Sequence, residues 1–368
     1  MGDENQNLQI TKPRGWTRIH QYFHDHHAAR YVLMAITLVI ASAIGVVFWL
    51  WQQPEQKVAT KPAAVIKKKE EPKIYAPLTG AQVADPAIAK RPVTAVMIEN
   101  SPDSRPQSGL KQAGIVYETI AEGGITRFIA LYQENRPGLI GPVRSVRPYY
   151  VEWASAYDPS VAHVGGSARA LTMIRSGNYG TDLDQFFNAP SYWRAKDRYA
   201  PHNVYTNSDQ LDALITSKGR STSNFTPQPR KDDTKAKQPN AQRINIPVSS
   251  ASYNIDYIYD PASNSYARHM GGGPHADREE GQIQPKVAIV LNVPISRAFE
   301  DGYREQIATT GQGRAFLFQD GTVRELTWSR PEPKSHLQLL DAEGKDVPLN
   351  RGQTWITAIA DGKTPTWQ

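Results

Sequence analysis

The stretch that most limits what this chain can become is YVLMAITLVIASAIGVVFWLW, residues 31–51, which carries no charge. As a helix it would extend ~31 Å at ~1.5 Å per residue, enough for one crossing of a bilayer core. A cleaved signal sequence competes with this reading, but its apolar core would be only ~7–15 residues long. The present run is longer, starts late, and ends in Phe48, Trp49 and Trp51, side chains suited to the membrane–water boundary. An uncleaved transmembrane helix at 31–51 is therefore expected, with the lipid bilayer as its partner. Charge says little about orientation, since Lys12, Arg14, Arg18 and Arg30 before the run nearly balance Lys57, Lys61, Lys67, Lys68 and Lys69 after it. Long C-terminal domains translocate largely regardless of such charges, which favours a short cytoplasmic tail at 1–30 and an extracytoplasmic remainder. The sequence contains no cysteine, which removes disulfides, thiolate metal sites, cysteine nucleophiles and anchoring by an acylated cysteine.

Beyond the run, residues 52–74 are rich in Pro, Lys, Glu and Ala without apolar period, the composition of a solvated stalk. From about residue 75 the pattern becomes globular. TAVMIEN (94–100), GIVYETIA (114–121) and TRFIALYQ (126–133) are β-branched and aromatic runs bounded by turn residues, and predict strands. PYYVEWASAYD starts with Pro148, SARALTMIRSG is capped by Ser167, and NSDQLDALITSKG by Asn207 or Ser208, so each predicts a helix. Residues 75–220 are thus expected to form an α/β or α+β domain. The polar, Pro- and Lys-rich residues 221–242 predict a linker or a long exposed loop, and 243–368 a β-rich C-terminal domain with turns around 260–263 and at Asp320-Gly321. With 42 Lys+Arg against 36 Asp+Glu the surface is mixed, which disfavours nucleic acid as a partner. On this reading limited proteolysis cuts first between 221 and 242.

Three constellations invite chemistry. In GPVRSVRPYY, Arg144 and Arg147 bracket Ser145 ahead of Pro148; two planar guanidinium forks in one turn suit a carboxylate or phosphate, and equally suit internal pairing with Glu99, Glu118 or Glu122. In SVAHVGGS, His163, Gly165, Gly166 and Ser167 mark a strand, a glycine turn and a helix start, where free N–H groups favour an anion, although the same residues serve a plain tight turn and cap. Loop NSPDSRPQSGL supplies Asn100 and Arg105, and RYAPHNVYTN supplies His202 and Asn203; Arg127 lies on the third strand. Glu118 and Glu122 would sit ~13 Å apart along one strand, too far for a paired-carboxylate glycosidase, which needs ~5–9.5 Å. GxxxxGK[ST], HExxH, GxSxG and SxxK motifs in the required context are all missing, so nucleotide, zinc and serine-nucleophile chemistry are disfavoured, and no metal or cofactor is expected.

The succession VMIEN, RPQSGL, VYETIAEGGITRF, GPVRSVRPYYVEWA, HVGGS and PHNVYTN, followed by YDPASNSYARHMGG, HAD and LNRGQTWI, resembles the YerB-like putative lipoprotein family of bacteria, a domain of unknown function with a C-terminal partner domain. The resemblance implies an envelope-facing bacterial protein and carries no reaction with it. Here an apolar span stands where lipoproteins use a cysteine. Three functions remain open. One is binding of an anionic envelope ligand, such as peptidoglycan or a teichoic polymer, or regulation of a cell-wall enzyme. The second is an envelope hydrolase or lyase with glutamate and histidine as acid and base; a pure interaction scaffold is the third. If the orientation is right, protease added to intact spheroplasts digests the C-terminal part; protection of that part, with cutting before residue 31, reverses the topology.

Overall fold

The structure, a computed structural model, describes residues 19, 24, 26–53, 73–297 and 304–368. Most of the expected tail and stalk lies outside them. The chain divides into two units, Met1–Glu70 and Glu71–Gln368. The described part of the first is essentially one helix, α1 (His27–Trp51), with no buried residue. Its hydroxyls bond within the helix, Thr37 and Ser42 each donating to the carbonyl four residues back, so an apolar surround would leave neither unsatisfied. By length and composition α1 is able to cross a membrane.

The second unit is organised by a ten-stranded mixed sheet. In chain order its strands are β1 (Thr94–Glu99), β2 (Ile115–Ile120), β3 (Thr126–Tyr132), β4 (Ser160–His163), β5 (Thr181–Asp184), β6 (Val287–Val293), β7 (Gly311–Gln319), β8 (Thr322–Arg330), β9 (Gln338–Leu340) and β10 (Thr354–Ala360). Across the sheet they lie β9-β8-β7-β6-β10-β2-β3-β1-β4-β5. Every residue of β1 and β3 is buried, as central strands covered on both faces require. Alternate side chains feed two cores. Ala95, Met97, Ile129 and Leu131 join α2 (Pro148–Ser155) and α3 (Ala168–Arg175). Val96, Ile98, Phe128 and Ala130 join α4 (Ser208–Ser217) and a five-stranded sheet that includes Ile255–Asp260 and Ser265–Met270. The helix starts follow their sequence signals: Pro148 opens α2, Ser167 caps α3, and Asn207 caps α4 by accepting from the Gln210 amide at 2.8 Å. The C-terminal part is β-rich, and helices are few.

Where two compact units at 75–220 and 243–368 were expected, one sheet runs through both. β10 lies between β2 and β6, parallel to each, with Thr354 opposite Ile115 and Val287. Apolar periodicity identifies strands but does not name their neighbours, so this joint is invisible in the pattern.

The expected linker is an anchored strap. Arg230–Lys231 pairs with Leu349–Asn350, the Ser223 hydroxyl accepts from the Val93 amide at 2.8 Å, and Arg230 donates to the carbonyls of Leu78 (2.8 Å) and Asn350 (3.0 Å). Most of its side chains remain in water, but a few, among them Ser223, Gln228, Arg230 and Lys231, meet fixed partners. The chief anchor is Asp320, which with Gly321 forms the two-residue β7–β8 hairpin turn, both at positive φ (59° and 77°), as an Asp-Gly hairpin demands. The Asp320 carboxylate receives Lys231 Nζ (2.6 Å), Asn350 Nδ2 (2.7 Å), Asn264 Nδ2 (2.8 Å) and the Thr234 amide (3.1 Å). Burial pushes its pKa up, but these donors outweigh burial and hold it below the ordinary carboxylate value.

Residues 221–242 should therefore resist limited proteolysis under native conditions, in contrast to the linker expectation; early cutting there would contradict the strap. Asp320→Ala should destabilise the protein by about 2–4 kcal/mol at neutral pH, because it strands several donors. Since the folded pKa lies below the unfolded one, the difference between wild type and variant should shrink as pH falls through ~4 and below, as read by denaturant melts.

Candidate functional site

The residues singled out in the sequence fall into four polar clusters. The first is the glycine junction. β4 ends at His163, Gly165 takes φ 59°, and Gly166 packs so closely that a Cβ would lie 2.7 Å from Val146 Cγ1. The Gly165 amide donates to Asp184 Oδ1 at 3.0 Å, and the same buried carboxylate takes the Phe186 amide (3.2 Å) and Arg175 Nη2 (3.0 Å). An internal aspartate thus occupies the place an anion was expected to take. His163 is fully buried, with Nε2 2.9 Å from Asp182 Oδ1 and Nδ1 2.9 Å from the Gly165 carbonyl. Ser167 caps α3, accepting from Ala170.

The second cluster centres on Glu122. It pairs with Arg127 at 3.1 Å and with Arg147, and Arg304 lies 3.9 Å away. Burial raises its pKa, while Arg127 and Arg147 together more than reverse this and leave the carboxylate below its ordinary range. Arg127 also donates to the Ser145 carbonyl (2.8 Å), so Ser145 contributes backbone and holds an arginine instead of a ligand.

The third cluster is internal except at its Arg105 end, which is half-buried. Glu118 and Arg268 are fully buried and meet at 2.7 Å. Trp355 Nε1 donates to the same carboxylate oxygen at 3.1 Å, and Thr126 Oγ1 to the other. Arg268 Nε donates to His275 Nδ1 (2.9 Å), and His275 Nε2 lies 3.1 Å from Gln107 Oε1. Burial, then the charges of Arg268 and Arg105, drives the His275 pKa well below its ordinary value, so it stays neutral and the carboxamide oxygen accepts its Nε2–H. Gln107 donates in turn to Asn100 Oδ1 and to the Glu99 carbonyl, both at 2.9 Å. Arg105 completes the chain with bonds to Asn100 and to the Ser252 carbonyl, its guanidinium 5.1 Å from the Tyr253 ring centre.

The fourth cluster faces solvent. Glu99, at the C-terminal end of β1, has Oε2 3.0 Å from His202 Nδ1 and Oε1 3.4 Å from Arg144 Nε, and Ser101 Oγ donates to Oε1 at 3.1 Å. The carboxylate is nearly buried (6 %), whereas Arg144 is 28 % and His202 22 % exposed. Asn203 fixes the loop beside them, accepting from Arg194 (2.7 Å) and donating to the Ala195 and Arg198 carbonyls. Ser101 and Glu99 both address His202 Nδ1, so they do not form a relay, which needs serine and carboxylate on opposite ring nitrogens.

Arg144, Arg147 and the His163 junction thus share a backbone neighbourhood, the Val146 amide donating to the Gly165 carbonyl at 3.0 Å, but their side chains go to different carboxylates. Sequence reasoning missed Ser101, Asp182, Asp184 and Arg268, whereas Gln107 lies in the turn-rich loop 100–110 that the sequence marks as a ligand-binding position. The alternation Thr-Asp-Leu-Asp at 181–184, acids every second residue in a strand, was a usable signal for two of them. Among the described residues no group of three or more His, Asp or Glu side chains is placed to hold a metal ion.

The fold and these clusters define a two-segment protein in which a mixed sheet, covered by α2 and α3 on one face and by α4 with a five-stranded sheet on the other, carries buried ion pairs and one half-open Glu–His–Arg group. A family model described as "Protein of unknown function (DUF3048) N-terminal domain" matches residues 78–221, and its C-terminal domain counterpart matches 244–356. The "Putative lipoprotein YerB" of Bacillus subtilis (strain 168) is 33% identical over 325 residues, which is 87% of this chain and 94% of that protein. The crystal structure of YerB from Bacillus subtilis superposes with a TM-score of 0.72 at 29% identity, covering 80% of this chain and 100% of that one. The chain belongs to the YerB-like family of proteins of unknown function.

Substituting the two bracketing arginines separates strut from surface. Arg147→Ala leaves Glu122 short of a partner and should cost about 3 kcal/mol or more in thermal or denaturant unfolding. Arg144→Ala, at a half-open position, should cost under about 1 kcal/mol. Equal losses would contradict this division.

Proposed function

We propose that this is a membrane-anchored envelope protein whose globular unit binds an anionic group, phosphate or carboxylate, at Arg144 and His202. The observation that carries the reading is the contrast among the arginines: Arg105, Arg127 and Arg147 are spent on close internal bonds, while Arg144 meets Glu99 only at 3.4 Å and keeps over a quarter of its side chain exposed. The Arg144 fork supplies the donors, and His202, whose Nδ1–H faces Glu99, adds a second donor at Nε2 when its ring is protonated. The relative's printed name, a lipoprotein, and the apolar helix α1 support attachment to a membrane. Without a cysteine the attachment is the helix itself, and the ligand is sought among envelope polymers such as peptidoglycan fragments or teichoic phosphate.

Calorimetric titration with a phosphate-rich wall polymer and with muropeptides tests this. Arg144→Ala should weaken binding by ~10- to 150-fold, the ~1.5–3 kcal/mol of a charged hydrogen bond, with little change in melting temperature. No binding by the wild type defeats the reading. A second reading, an envelope hydrolase or lyase, is favoured by the 3.0 Å Glu99–His202 contact, an acid–base pair in reach of solvent. Release of soluble fragments from peptidoglycan by the wild type and not by Glu99→Gln would establish it instead.

A further inference from the structure

The second unit leaves few large apolar side chains in water, and their placement is uneven. Tyr199 is 90% exposed, Phe187 72%, Phe186 68% and Trp193 38%; outside residues 186–199 only Ile125, at 37%, joins them among the described residues of that unit. This stretch, FFNAPSYWRAKDRY, interleaves the aromatics with Arg194, Lys196 and Arg198, and its single acid, Asp197, is paired with Arg278 at 2.7 Å. Arg175, 43% exposed, lies 5.1 Å from the Phe187 ring centre.

The display is built in. Buried Asp184 takes the Phe186 amide through its side chain, and its carbonyl takes the Phe187 amide (3.1 Å) and Asn188 Nδ2 (2.8 Å). Tyr192 Oη donates to the Leu183 carbonyl at 2.5 Å, closing the loop at its base. Trp193–Arg194 is fixed as a strand against Val204–Tyr205, and Arg198 bonds the Pro106 carbonyl at 2.6 Å. A fold that spends a buried carboxylate on holding two adjacent phenylalanines in water has another use for them.

We infer that residues 186–199 form a ledge that docks on the surface of an anionic lipid bilayer, Phe186 and Phe187 entering the headgroup–acyl boundary while Trp193 and Tyr199 sit at it and the exposed Arg194 and Lys196 meet lipid phosphates. Adjacent phenylalanines at a turn, flanked by Trp, Tyr and basic residues, have the composition of an interfacial contact. This rests in part on reading α1 as a membrane anchor: a unit tethered to a bilayer meets it at high effective concentration, so a few side chains suffice.

The absence of cysteine makes the test direct. Single-cysteine full-length variants Phe187→Cys, Thr327→Cys and Val39→Cys, each carrying an environment-sensitive fluorophore, are reconstituted in vesicles of neutral or partly anionic lipid containing a spin-labelled quencher lipid. Thr327 is exposed on β8, near the opposite edge of the ten-stranded sheet, and Val39 is the probe for α1. The label at 187 should be quenched at least about twofold more than that at 327, more so with anionic lipid and less so at high salt. Adding Phe186→Ser should reduce that quenching, and Phe186→Leu should retain it, with unchanged circular dichroism. Quenching at 39 without quenching at 187 overturns the ledge while leaving the anchor intact; quenching at neither overturns both. A response at 187 to soluble wall polymer and not to lipid also overturns it, and assigns the ledge to a glycan.

Discussion

Arg268 and Glu118 are both withdrawn completely from water, and each comes from a different layer: Glu118 from β2 in the ten-stranded sheet, Arg268 from the five-stranded sheet packed against it. Neither charge is tolerable alone at that depth. The guanidinium is therefore placed 4.3 Å from the Trp355 ring centre, bonded to Tyr257 and His275, and fully matched to the carboxylate. Because Trp355 belongs to β10, the pair ties three pieces of chain into one arrangement. Breaking it would leave an orphaned charge between the layers, so the layers have one mutual register that satisfies both ions.

From that register follows the solvent-facing group. Gln107 connects His275 to Asn100 and to the Glu99 carbonyl, so the position of Glu99 is fixed from below by neutral hydrogen bonds and from above by Arg144 and His202. A carboxylate held this way presents its charged neighbours at a set spacing with little reorganisation. The half-open cluster is thus an extension of the core network, and its shape depends on residues from both family segments.

The sequence was most readable where a local rule decides the outcome. Strands β1, β2 and β3 and the starts of α2, α3 and α4 fall within a residue or two of their patterns, and the Asp320-Gly321 turn forms as its residues require. What stayed hidden was pairing at long range. Residues 221–242 have the composition of a solvated linker, and partners distant in sequence, among them the carboxylate of Asp320, the carbonyls of Leu78 and Asn350 and the Val93 amide, turn them into a strap. For the site, residue types were legible and partners were not. Arg144 with Glu99 was among the pairings left open, whereas the partner of Glu118 is Arg268, 150 positions away. The alternation at 181–184 marks Asp184 as an acid on a strand but not as the group that fills the glycine junction, because the junction's free amides look the same whether an external anion or an internal one meets them.

The central seat of β10 has a bearing on how the molecule comes into being. Thr354–Ala360 is made after the other nine strands of its sheet, yet its place is between β2 and β6, in the middle of the sheet. Until it arrives, β2 has an open edge on one side and Glu118 lacks its indole donor. The first segment must wait, partly assembled and with one strand edge open, through the synthesis of about 130 further residues, a high-contact-order route that exposes it to wrong partners. A chain of this design has reason to delay folding until β10 has emerged in the same place as its neighbours.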